Sequence, residues 1–116
     1  MYQEMSVHEL AQGLERRDVA LLDLRVAEQF AAGHIPGSLP VALQDLPGRL
    51  RDPDDELWAL LFGARRPVLV RVGVLADAER ITDASVILGE LGVESYVVTG
   101  GVRAWSAAGL PLNRRW

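Results

Sequence analysis

The apolar residues of this chain fall into short dense runs, and the stretches between them carry helical spacing. Val19-Ala20-Leu21-Leu22-Asp23-Leu24 is almost wholly apolar, which predicts a strand covered on both faces. Pro67-Val68-Leu69-Val70-Arg71-Val72 predicts a second strand and residues 95–99 a third, with Leu39-Pro40-Val41 as a brief strand behind the Pro36-Gly37 turn. Helices are expected between them. Ser6 and Glu9 have the spacing of a capping box, and Leu10 and Leu14 give the helix that follows one apolar face. Residues 26–32 predict a short helix ended by Gly33, and residues 43–50 another. Acids and a proline at 52–55 precede a third, residues 56–62, ended by Gly63. Residues 80–91 place Ala84, Ile87, Leu88 and Leu91 on one face before the Gly92 stop, and a last helix spans 102–108. Strands alternating with helices predict an α/β domain: a central, mainly parallel sheet flanked by helices on both faces. The pattern has no internal repeat.

Composition narrows the chemistry more than the fold. At 116 residues, with 49% hydrophobic and 24% charged, the chain reads as one globular domain spanning 1–116. A net charge of -4, with the Arg-Arg pairs scattered at 16/17, 65/66 and 114/115, argues against a nucleic-acid surface. The longest apolar run, residues 57–62, is too short to cross a bilayer, and the first residues lack the pattern of a signal peptide. No membrane association and a cytoplasmic location are therefore expected. The chain contains no cysteine, which removes disulfides, thiolate metal sites and thiol nucleophiles together. All its basic residues are arginine, so Schiff-base lysine chemistry is also excluded. No cofactor and no metal site are expected.

Several residues invite a role and are read as structural. Asp23 ends a buried strand, where its carboxylate can accept backbone N–H bonds from neighbouring loops, and Arg25 and Glu28 are spaced to pair across one helical turn. His34 has no second histidine or acidic cluster near it in sequence, since His8 belongs to a separate helix, so it is expected to bond a nearby loop. Gly100 and Gly101 suit backbone conformations that a Cβ forbids, and Trp105 is expected to anchor core.

Four segments, in order over nearly the whole chain, carry a resemblance. They are Leu22-Asp23-Leu24-Arg25 with Glu28 and Phe30, then Gly33-His34-Ile35-Pro36-Gly37-Ser38, then residues 67–72, then Thr99-Gly100-Gly101-Val102-Arg103-Ala104-Trp105 through Gly109-Leu110-Pro111-Leu112. Together they resemble the rhodanese-like family. Active members are sulfurtransferases, in which a cysteine at the end of the central strand takes up sulfur as a persulfide and passes it to an acceptor; related phosphatases use the same loop. That chemistry needs a low-pKa thiolate in a nest of backbone N–H groups.

Matched to the family, this chain has Val72 at the cysteine position, so no catalytic residue is expected. The family's loop arginine follows its cysteine by five positions, whereas Arg80 follows Val72 by eight. The intervening Gly73, Val74, Leu75, Ala76, Asp77, Ala78 and Glu79 form a remodelled loop with few small polar residues, and its two acids oppose anion binding. Aspartate can form acyl-phosphates, but Asp77 lacks the visible partner carboxylates and metal such chemistry needs, and a helix-capping role is expected for Asp77 or Glu79. Thr82 and Ser85 fall inside the predicted helix with no histidine beside them in sequence.

The resemblance thus implies a catalytically inactive sulfurtransferase homologue that serves as a binding or regulatory module for an unidentified protein or small molecule. An enzyme with non-thiol chemistry at the 72–80 loop is the alternative, and a structural or self-associating subunit is a third reading. The last rests on residues 57–62, whose consecutive apolar side chains predict a helix with little polar face and a possible homodimer contact.

Overall fold

The computed structural model describes residues 3–62, 68–72, 88–90 and 92–114. Its strands are β1 (Gln3–Met5), β2 (Val19–Asp23), β3 (Leu39–Pro40), β4 (Val68–Val72) and β5 (Ser95–Val98). Its helices are α1 (Val7–Arg16), α2 (Ala27–Ala32), α3 (Leu46–Leu50), α4 (Glu56–Phe62) and α5 (Gly101–Ala107), and residues 88–90 are also helical. The strands form one five-stranded sheet in the order β1-β5-β4-β2-β3. All four strand pairings among the described residues are parallel.

Side chains of successive strand residues point to opposite faces, so each apolar strand feeds two cores. Ala20 and Leu22 of β2 and Leu69 of β4 join Leu46, Leu50, Leu57, Leu61 and Leu88 on one face. Leu21 of β2, with Val70 and Val72 of β4, packs with Val7, Leu10 and Trp105 on the other. Helices therefore cover both faces, as the apolar runs predict.

The predicted capping box is present: Glu9 N–H donates to Ser6 Oγ at 3.1 Å, and Ser6 N–H donates to Glu9 Oε1 at 3.3 Å. The expected 43–50 helix is instead two pieces, a 3-10 turn over Leu43–Asp45 and then α3. Pro47 lies in the first turn of α3 and has no N–H to continue a helix from the preceding turn, which accounts for the break. Strand β1 was not expected, because Gln3 and Glu4 are exposed and polar. It exists through its neighbour, with Gln3, Glu4 and Met5 in register with Tyr96, Val97 and Val98 and Thr99 N–H donating to Met5 O.

Helix α4 buries one part of its apolar surface against the sheet and leaves another part exposed. Leu57 and Leu61 are buried, and Leu60 packs against the same core. The Trp58 ring meets Phe62 edge-on, with centroids 4.1 Å apart, and Ala59 and Phe62 face outward. Arg49 ties α3 to the start of α4 through paired contacts with Asp55, the shorter at 3.0 Å. Those hydrogen bonds hold the Asp55 carboxyl below its ordinary range and raise Arg49 above its own.

Candidate functional site

In a parallel sheet the loops that carry function gather at the carboxyl ends of the strands. Here that edge brings together the ends of β2 and β4 at its middle, with Asp23 in register with Val72. The backbone closes on both sides of β2: Leu24 N–H donates to Val72 O at the end of β4, and Val41 N–H, just after β3, to Asp23 O, both at 2.9 Å.

Asp23 is 1% exposed, and both of its oxygens face Arg25. Oδ1 accepts from the Arg25 N–H and from Nε, each at 3.0 Å, and Oδ2 accepts from Nη2 at 2.8 Å. The same Nη2 donates to Gly33 O at 2.7 Å. A carboxylate engaged in this way is a clamp on the loop and is poorly placed to act as a base. The expected Arg25–Glu28 pair does not form. The two residues are one helical turn apart in sequence, but Arg25 precedes α2, so its guanidinium reaches back to the buried Asp23 while Glu28 stays exposed in the first turn of α2.

His34 is also buried and bonds locally. Its Nδ1 lies 2.9 Å from Phe30 O, and since a carbonyl can only accept, Nδ1 carries the hydrogen in this contact. The ring stacks on Phe30 with centroids 3.8 Å apart and planes 8° from parallel. Among the described residues no group of three or more His, Asp or Glu is placed to hold a metal ion.

Gly100 and Gly101 lead from β5 into α5 with φ of +75° and +60°, the left-handed region that side chains disfavour. A Cβ on Gly100 would lie 2.6 Å from the Ala104 Cβ, so the helix start requires glycine there. Trp105 is buried in the α1 and α5 layer and donates its Nε1–H to Pro111 O at 2.8 Å.

Val72, where the resemblance places the family's nucleophile, is 1% exposed and packs into that same apolar layer. Its neighbour Arg71 is fully buried on the opposite face, between Leu22 of β2 and Val97 of β5, and burial pushes its guanidinium pKa down. In the sequence Arg71 stands only as one residue of an apolar strand. Its signal in the sequence is a charge at an interior position of a strand covered on both faces. The residues of the remodelled loop, Gly73, Val74, Leu75, Ala76, Asp77, Ala78, Glu79 and Arg80, lie outside the described residues, as do Thr82 and Ser85.

The Rhodanese-like domain family model matches residues 6–108. The chain belongs to the rhodanese-like family. The HTH-type transcriptional regulator Rv0324 of Mycobacterium tuberculosis is 32% identical to it over 105 residues, covering 90% of this chain and 42% of the regulator. The chain thus spans about two fifths of that relative's length. Among solved structures, the Alr3790 protein of Anabaena sp. superposes with a TM-score of 0.73 at 26% identity, over 95% of this chain and 81% of that one. A rhodanese-related protein of Thermoplasma volcanium gives 0.70 at 23% identity, over 97% and 98%. Thiosulfate sulfurtransferase of Pseudomonas aeruginosa gives 0.74 at 23% identity, over 99% of this chain and 20% of the enzyme. The last two likenesses show the rhodanese-like fold, which the all-parallel sheet with helices on both faces shares. The membership also fits the sequence motifs, and no cysteine occurs anywhere in the chain.

Proposed function

We propose that this rhodanese-like chain is a non-catalytic module with a cytoplasmic binding or regulatory role, its partner a protein or small ligand. The observation that carries the reading is the absence of any cysteine in a family whose known chemistry proceeds through one. The buried, apolar surroundings of Val72 support it, because a side chain packed into core is not presented to a sulfur donor. The regulatory half of the reading draws on the Mycobacterium tuberculosis relative, a transcriptional regulator by name, of which this chain matches a part. The test is capture of partners from the native cell, followed by direct binding measured with the purified chain. A chain that binds nothing under either condition overturns the proposal.

Two further results are expected on the same reading. The purified protein transfers no sulfur from thiosulfate or mercaptopyruvate to cyanide above a protein-free blank. Turnover that survives repurification and disappears when Val72 is altered reverses that conclusion. The Val72→Cys variant gains a thiol but not a reactive one. Burial in apolar surroundings raises a thiol's pKa above its ordinary value of about 8.5, so alkylation should stay slow until the medium is well alkaline. The measurement is alkylation rate against pH, and a thiolate already formed below neutral pH would show an anion-stabilising cradle at this strand end.

A further inference from the structure

Residues 110–113 return across the α1 and α5 face of the sheet and are fixed at two points. Pro111 O accepts the Trp105 Nε1–H, and Leu110 and Leu112 pack against the apolar layer that holds Trp105. Beyond them the chain pairs with the loop that follows α2. His34 N–H donates to Asn113 O at 2.8 Å, and Asn113 N–H donates to His34 O at 2.9 Å, an isolated antiparallel bridge. Leu112 also crowds Gly33, where a Cβ would lie 3.3 Å from its Cδ1.

Gly33 is the point at which two sets of contacts meet. Its carbonyl receives Arg25 Nη2, whose other hydrogen bond holds Asp23 beside Val72. Hydrogen bonds and the intervening backbone therefore connect Asn113 through His34, Gly33 and Arg25 to Asp23, whose neighbour Leu24 donates its N–H to Val72 O at the end of β4. The guanidinium is a rigid planar fork, so a shift of the Gly33 carbonyl cannot be absorbed by Arg25 without loosening its grip on Asp23.

We propose that residues 110–113 are a strap whose closure on His34 positions the Asp23–Arg25 clamp, and through it the carboxyl end of the sheet. A partner that lifts the strap loosens the clamp, and a ligand that tightens the clamp tightens the strap by the same factor. This goes beyond the binding-module reading and does not depend on it, since it concerns the coupling of two parts of one chain.

Native-state amide exchange on the full chain tests it. Asn113→Pro removes the N–H that His34 O accepts, while Leu112→Ala keeps the bridge and removes the packing on Gly33. In either variant the amides of His34, Arg25 and Leu24 should exchange about tenfold faster, the loss expected when one supporting hydrogen bond or contact goes. The amides of Asp18 and Val68, bonded at the opposite end of the sheet to Gly13 O and Asp18 O, should change by less than about twofold. Arg25→Met should reciprocally speed the His34 and Asn113 amides. Acceleration confined to His34, with Arg25 and Leu24 unaltered, overturns the proposal. Equal acceleration of every amide overturns it too, because the strap would then be a general support. If Asn113→Pro does not fold, Leu112→Ala decides the matter by the same pattern.

Discussion

Asp23→Ala should cost about 3–5 kcal/mol of stability, the range for removing one partner of a buried ion pair. Arg25 would keep Gly33 O but lose both carboxylate oxygens, leaving a cation that is only 11% exposed in the native structure without its counter-charge. Against a total stability of about 5–15 kcal/mol for a typical domain, such a loss is close to unfolding. The measurement is urea unfolding of the parent, Asp23→Ala, Arg25→Met and the double variant. The double variant should be more stable than Asp23→Ala alone, because it removes the orphaned charge. An Asp23→Ala variant within about 1 kcal/mol of the parent would mean that the clamp contributes no more than an exposed pair.

The second large effect is expected at Trp105. Trp105→Ala empties a side chain that is 4% exposed, and truncation of a buried Trp costs about 3–5 kcal/mol through lost burial and the cavity left behind. Trp105→Phe separates the packing from the hydrogen bond to Pro111 O, which alone should cost about 1 kcal/mol. Thermal unfolding of both variants checks the order. If Phe proves as damaging as Ala, the indole N–H matters more than the ring's volume, and the strap is held chiefly by that bond.

Much of this architecture is legible in the sequence. The runs at 19–24 and 67–72 are apolar on consecutive residues because both faces of a central parallel strand are covered, and the structure places β2 and β4 side by side in the middle of the sheet. The Ser6 and Glu9 pair, the double glycine at 100–101 and the buried Trp105 each follow from a local requirement written into a few neighbouring residues. What was not legible depends on partners distant in sequence. Gln3–Met5 becomes a strand only because β5 offers an edge, and no pattern within those residues announces it. Arg25 has two acids within three positions, and spacing alone favours the helical Glu28. The choice of Asp23 is made by burial, which strengthens the contact and comes from the sheet. The bridge between His34 and Asn113 is likewise a product of the fold, with nothing in either local sequence to mark it.

The order of the strands has a consequence for how the chain acquires its structure during synthesis. Among the described strands β1 comes first in sequence but occupies the edge beyond β5, which comes last, with Gln3 opposite Tyr96. While the chain emerges from a ribosome, β3 and β4 can each pair with β2 as soon as they appear. The β1 residues have no strand to pair with until β5 has been added beside β4. Closing contacts between such distant residues is entropically slow, so β1 is expected to dock after the β2–β4 pair has formed. Until then the polar character of Gln3 and Glu4, which hid the strand from a reading of the sequence, keeps that waiting segment soluble.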